Sequence, residues 1–225
     1  MPSNIPEYTL PYIETALPFQ LPGWDEPFWP EISPVFLGDC ITGEMPSLST
    51  SLKGFWYNQG LVFRFYAEDT CLQSRFTKRD EPLYEEEVVE IFIAAGAKDP
   101  VHYCELEVSP FNIQWDGRIY NPTGLRRDME ADVWWDAESF LSEVKIVSKP
   151  GVPLPGCIAW ETLLHIGFKD ITSDSTYFAT KGDVFRANFL RVESSPDEMF
   201  LSWSPTLRDP ADFHVPDRFG RLILG

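Results

Sequence analysis

Residues 88–108 read VVEIFIAAGAKDPVHYCELEV, and the order of side chains in this stretch decides the fold. The run VVEIFIA from Val88 is β-branched and aromatic, which is strand chemistry. In YCELEV, Cys104, Leu106 and Val108 alternate with Tyr103, Glu105 and Glu107. Successive strand residues point to opposite faces, so Val88, Glu90 and Phe92 share one face and Val89, Ile91 and Ile93 the other. Glu90 is thereby set among apolar neighbours, and Glu105 and Glu107 repeat the pattern, as a polar face or shallow groove on one sheet would.

Similar runs lie on both sides. GLVFRFYA at 60–67, LSEVKIVS at 141–148, VFRANFLRV at 184–192, FLSWS at 200–204 and RLIL at 221–224 all read as strands. Asp116-Gly117, between NIQW and RIY, is a strong tight-hairpin signal. CIAWETLL, after the loop KPGVPLPG, reads as a strand end running into one helical turn. Long amphipathic helices are absent and short strands recur between Pro and Gly punctuation, so nine or ten strands are expected in an all-β, antiparallel β-sandwich. The first 34 residues hold eight of the 20 prolines, interleaved with Tyr8, Tyr12, Phe19, Trp24, Phe28 and Trp29. Proline forbids regular helix there, and so many aromatics need burial, so residues 1–34 are expected to form an extended arm packed on a domain of residues 35–225.

Composition narrows the partners. The chain has 225 residues and a formal net charge of −17, the opposite of what the phosphates of nucleic acid or an anionic membrane demand. No stretch approaches the roughly 18 apolar residues of a membrane span. The N-terminus MPSNIPEY has neither a basic n-region nor an apolar h-region, which predicts a cytoplasmic protein. Cys40, Cys71, Cys104 and Cys157 form no C-x-x-C pair and read as free thiols.

The nucleotide, zinc-hydrolase and nucleophile-elbow motifs are missing, and His102, His165 and His214 have no ligand spacing. Glu85–Glu87 reads as a solvated loop, with calcium ligation beside Asp80 as the alternative. A carboxylate at Glu90 must meet either a structural partner, for which Arg64, Arg186 and Arg191 are available, or a polar ligand. Sugars require both polar groups for hydroxyls and flat aromatic surfaces for C–H faces. Tyr84 precedes the acidic run, and Trp203, Phe213 and His214 lie in the loop that begins SWSPT.

At these residues the sequence resembles the family 9 carbohydrate-binding modules and the family 9-like proteins of bacteria. The resemblance rests on LVFRFYAED, EPLYEEEVVEIFI, YCELEVSPFN, FRANFLRVE and LSWSPTLRDPADFHVPDRFGRLIL, and covers roughly residues 20–225. It implies a jelly-roll β-sandwich that binds mono- or oligosaccharides without catalysis, accompanies glycoside hydrolases in polysaccharide catabolism, and carries structural calcium. The two sugar-clamping tryptophans of the family fall on Tyr84 and Phe213, the strand glutamate on Glu90 and the strand asparagine on Asn188, with Trp203 near the pocket. A sugar-contacting arginine falls on Glu107, and the aspartate closing the LVFRFYAED strand, Asp69, is the implied calcium ligand. Two other functions are compatible with a sandwich. A glycoside hydrolase would use Glu90 and Glu107 as its carboxylate pair. A haem-binding sandwich would need axial ligands, and Met129, Met199 and His214 show no spacing that selects them.

Overall fold

The computed structural model describes residues 5–15, 20–148, 157–194 and 197–225. The loop KPGVPLPG and residues 1–4 and 16–19 of the arm lie outside the described residues. In chain order the first strands are β1 (Glu7–Leu10), β2 (Val35–Phe36), β3 (Gly38–Asp39), β4 (Thr50–Tyr57), β5 (Gly60–Glu68), β6 (Val88–Ala95) and β7 (His102–Val108). There follow β8 (Gln114–Tyr120), β9 (Glu130–Asp132), β10 (Leu141–Ser148), β11 (Cys157–Gly167), β12 (Val184–Glu193), β13 (Met199–Ser202) and β14 (Gly220–Leu224). One short α-helix, α1 (Phe168–Thr172), follows β11 directly.

The strands form two sheets. The larger runs β1-β14-β12-β6-β7-β8-β9, with β13 bridging β12 and β3, and the smaller runs β10-β11-β5-β4-β2. Neighbours are antiparallel except β1, which lies parallel to β14 in register from Glu7↔Arg221 to Leu10↔Leu224. The alternation read from the sequence sorts the side chains into layers. Val89, Ile91 and Ile93 of β6, Leu106 and Val108 of β7 and Phe189 of β12 face Leu61, Phe63 and Phe65 of β5 and Trp160 and Leu164 of β11 in the central core. Phe63 and Phe189 meet across the sheets with ring centroids 5.1 Å apart.

Both outer faces are also covered. On the small sheet, Trp29 and Ile32 of the N-terminal segment bury Phe55, Tyr57, Val62 and Leu163. On the large sheet, Phe213 and Phe219 from the connection between β13 and β14 pack against Phe92, Tyr103, Trp115 and Leu190. A face that faced water would read polar; this one is mixed because loops close over it.

Two local expectations are corrected, and one strand went unread in the sequence. Asp116-Gly117 is not a hairpin but the middle of β8, paired Leu106↔Asp116 and Glu105↔Gly117. Asp116 is buried, accepting the Ala137 N–H at 2.6 Å and pairing with Arg79, and a Cβ at Gly117 would stand 2.8 Å from the Trp115 indole. The aspartate serves a tertiary bond and the glycine a close approach, two uses that turn statistics do not separate. CIAWETLL does not coil: it lies within β11, an 11-residue strand whose helical turn comes only at Phe168. β4, whose Ser, Lys and Gly hide its alternation, is a full strand joined to β5 across Asn58-Gln59, with Tyr57 paired to Gly60.

Candidate functional site

On the outer face of the large sheet, β6 and β7 place Glu90 directly opposite Glu107, and Phe92 opposite Glu105. Period two sends all three carboxylates to that face, while Ile91, Leu106 and Val108 go to the core. Glu90, Glu105 and Glu107 are all buried, and one carboxylate oxygen from each lies within 4.8 Å of the others. The arginines available to neutralise them are engaged elsewhere. Arg64 pairs with Glu161, Arg186 with Asp99 and the Phe219 carbonyl, and Arg191 with Glu193.

Above the carboxylates lies a cavity of about 220 Å³. Its walls include Tyr84, Trp115, Phe213 and His214, and Glu90 and Glu105 reach it from the sheet. Tyr84 is carried by the single turn Leu83–Glu85, which Leu83 anchors in the apolar layer, and it stays half exposed. Its ring stands edge-on to Trp115, centroids 6.1 Å apart. Phe213 is 9% exposed and is held edge-on to Phe200 at 6.0 Å, so it offers far less surface than Tyr84. His214 stacks on Phe92 at 4.9 Å and is bonded through Nδ1 to the Tyr103 hydroxyl at 2.8 Å.

Burial dominates the electrostatics. It raises the carboxyl groups of Glu90 and Glu107 well above their ordinary range, and each is pushed further by its acidic neighbours. Glu105 is pushed up to about 7 by burial, opposed first by its contact with the Glu107 carboxyl and then by the nearby Arg126 guanidinium. Burial pulls the His214 imidazole down to about 4, and Arg126 adds to the effect. The Tyr84 N–H and the Glu105 carboxyl approach Glu107, but neither oxygen of Glu107 reaches ordinary hydrogen-bonding geometry, nor does Oε1 of Glu90.

Tyr84, Glu90, Phe213 and His214 thus come together as the sequence reading placed them, with Glu107 beneath. Two residues do not join them. Trp203 is a central-core side chain, its ring tilted against Phe189 with centroids 5.3 Å apart and lying over Gly220. Its backbone belongs to the loop, but its ring points between the sheets. Asn188 is fully buried and spends its amide on Ser204, donating to the carbonyl and accepting the N–H, both at 2.9 Å. Trp115 and Arg126 are the residues the sequence reading missed. The hairpin assignment hid Trp115, although its register opposite Glu107 puts it on the carboxylate face. Arg126, from the turn Arg126–Asp128, brings a guanidinium to the cavity wall.

Asp69 lies elsewhere, in a buried triad with Glu87 and Glu193. Glu87, read as part of a solvated loop, is instead fully buried and accepts the Trp160 indole N–H at 3.1 Å. The triad does not fit a calcium ion. The Arg191 guanidinium stands 3.6 Å from Asp69 and 3.7 Å from Glu87 and is bonded to Glu193, so a fixed cation already sits among the ligands. The haem alternative finds Met129 and His214 on one cavity wall, but about 220 Å³ falls below the roughly 300–1,000 Å³ of ordinary small-molecule sites and has no slot for a macrocycle. Met199 packs against the central core instead.

The profile of carbohydrate-binding family 9 matches residues 55–224, which includes every wall of this cavity. The chain belongs to carbohydrate-binding family 9. Family 9 modules of Caldicellulosiruptor kristjanssonii share its fold. One, in complex with cellotriose, has a TM-score of 0.60 at 14% identity, covering 97% of this chain and 93% of that one. The other, in complex with glucose, has a TM-score of 0.62 at 13% identity, covering 98% and 96%. In sequence, the family 9 chain is 24% identical over 198 residues to a protein of Arthroderma benhamiae named "Extracellular protein", covering 82% of each.

Proposed function

We propose that the cavity over β6, β7 and β8 holds a single sugar ring of a mono- or oligosaccharide, and that the domain binds it without catalysis. The observation that carries this reading is the convergence in one cavity of aromatic surfaces (Tyr84, Trp115, Phe213) with polar groups from Glu90, Glu105 and Arg126. Rings offer dispersion to the C–H faces of a sugar, and carboxyl groups and guanidinium exchange hydrogen bonds with its hydroxyls. The family 9 modules solved with glucose and cellotriose make neutral glucosides the first ligands to test.

The non-catalytic part of the reading is supported by where the carboxylates stand. A glycosidase sets its two carboxyl groups on either side of the scissile bond. Glu90 and Glu107 are side by side on one sheet face, and Glu107 does not line the cavity, so neither can approach a sugar from the far side of the other. Calorimetric titration with glucose, cellobiose and cellotriose, beside an aryl-glycoside assay, tests both halves. Saturable heat without turnover is expected. A silent panel of sugars would overturn the binding reading, and turnover abolished by Glu90→Gln would replace it with a hydrolase.

A further inference from the structure

Three triads of carboxylates converge among the described residues. Two already contain a cation: Arg191 lies within Asp69–Glu87–Glu193, and Arg79 pairs with Asp80, Asp116 and Asp136. The third, Glu90–Glu105–Glu107, contains none, and no Lys or Arg ion pair reaches it among the described residues. It is also buried, with Glu107 wholly inaccessible; the Tyr84 N–H and the Glu105 carboxyl stand beside it, yet neither of its oxygens forms a hydrogen bond of ordinary geometry. Buried carboxylates are ordinarily paired or metal-bound. Arg126, whose charge acts on Glu90, is exposed and lines the same cavity.

The spacing suits an ion. Calcium holds oxygen ligands at about 2.3–2.6 Å, so two oxygens on one ion are separated by at most about 5 Å. One oxygen from each glutamate meets that limit, at no more than 4.8 Å from the other two. The donors are all carboxylate oxygen, which selects a hard cation over zinc or copper. Three protein oxygens leave an ion of six to eight ligands unsaturated, and the free side is the cavity, since Glu90 and Glu105 line it and Glu107 lies behind them. From this we infer that Glu90, Glu105 and Glu107 bind a calcium-sized divalent cation at the floor of the cavity, its open positions turned to the hydroxyls of the bound sugar. The last clause rests on the sugar-binding reading; the ion site itself does not.

Terbium luminescence tests the site without sugar, using the intact chain, with Trp115 in the cavity wall as the sensitiser. Saturable emission displaced by calcium is expected. Glu107→Gln and Glu105→Gln should each weaken terbium at least tenfold, while Glu87→Gln, in a triad that holds its own arginine, should change it less than twofold. Both glutamine variants are near-isosteric, and a melting curve for each verifies the fold. No saturable emission, or emission kept in Glu107→Gln and lost in Glu87→Gln, would overturn the site. Glucose titrated in calcium and in EDTA then separates the two readings. Glucose binding without a terbium site overturns the ion and leaves the sugar reading standing. A terbium site without glucose binding in either buffer does the reverse. Equal glucose affinity in both buffers, with terbium bound, overturns the contact between ion and sugar.

Discussion

Glu90 and Glu107 face each other across β6 and β7 as a directly opposed antiparallel pair, and both are buried on the face that loops cover. Like charges so placed oppose ionisation of both, since burial and mutual repulsion act together. Glu90→Gln in calcium-free buffer should therefore stabilise the fold. A carboxyl group raised above its unfolded value of 4.5 contributes stability fully below that pH and loses it as pH rises. The gain from the glutamine should grow between pH 5 and pH 9, read as a rising difference in urea midpoint. A difference that shrinks with pH would contradict the buried pair.

Tyr84 and Phe213 share one cavity but not one role. Tyr84 is 47% exposed, so Tyr84→Ala should leave the melting temperature nearly unchanged and cost sugar binding on the order of 1–2 kcal/mol. Phe213, packed under the loop, should lose about 3–5 kcal/mol of stability when cut to Ala, besides any loss in binding. Paired chemical denaturation and calorimetry would show whether the two variants separate in this way.

Trp203→Ala is expected to destabilise the domain by about 3–5 kcal/mol, because it opens a cavity between the sheets. Sugar affinity of the fraction that remains folded should be unchanged. An affinity loss without a stability loss would return Trp203 to the binding site.

His214 makes stability fall at low pH. Its unfolded imidazole titrates near 6.5 and its folded one at about 4, so its contribution is complete above about pH 6.5 and is lost as pH drops toward 4. The shift corresponds to about 3 kcal/mol. Asp212, which favours the charged ring, and Arg126, which opposes it, are the charged groups that act on it, while the Tyr103 hydroxyl is bonded to Nδ1. The stability of wild type relative to His214→Gln should drop across that window; a flat difference from pH 7 to pH 4 would refute the assignment.

Arg191 holds three acids together in the interior. Arg191→Met would leave Asp69, Glu87 and Glu193 buried with no cation, at a cost of about 3–5 kcal/mol. Glu87 is already pushed up to about 10 by burial and by Asp69, so adding Glu193→Gln should recover much of the loss. Urea unfolding of the single and double variants measures it.

Period-two alternation, in 88–108 and in the runs on either side of it, was enough to indicate the sandwich and the sorting of Ile91 and Leu106 from Glu90 and Glu107, because strand geometry ties chain position directly to side. The loop motif around Phe213 and His214 likewise announced its residues. Other features needed the folded chain. Trp115 looked like a hairpin flank until Gly117 was seen to make room for its indole. Trp203 and Asn188 sit in matching motifs, yet one ring turns to the core and the other amide is consumed by Ser204, choices made by packing across the sheets. Which acids have a cation was equally hidden: Arg191 lies two residues from Glu193 and over a hundred from Asp69, and only strand pairing brings all of them to one point, while Glu90, Glu105 and Glu107 have no ion pair among the described residues. Charge pairing is set by proximity in space, and spacing along a β chain carries little of that information.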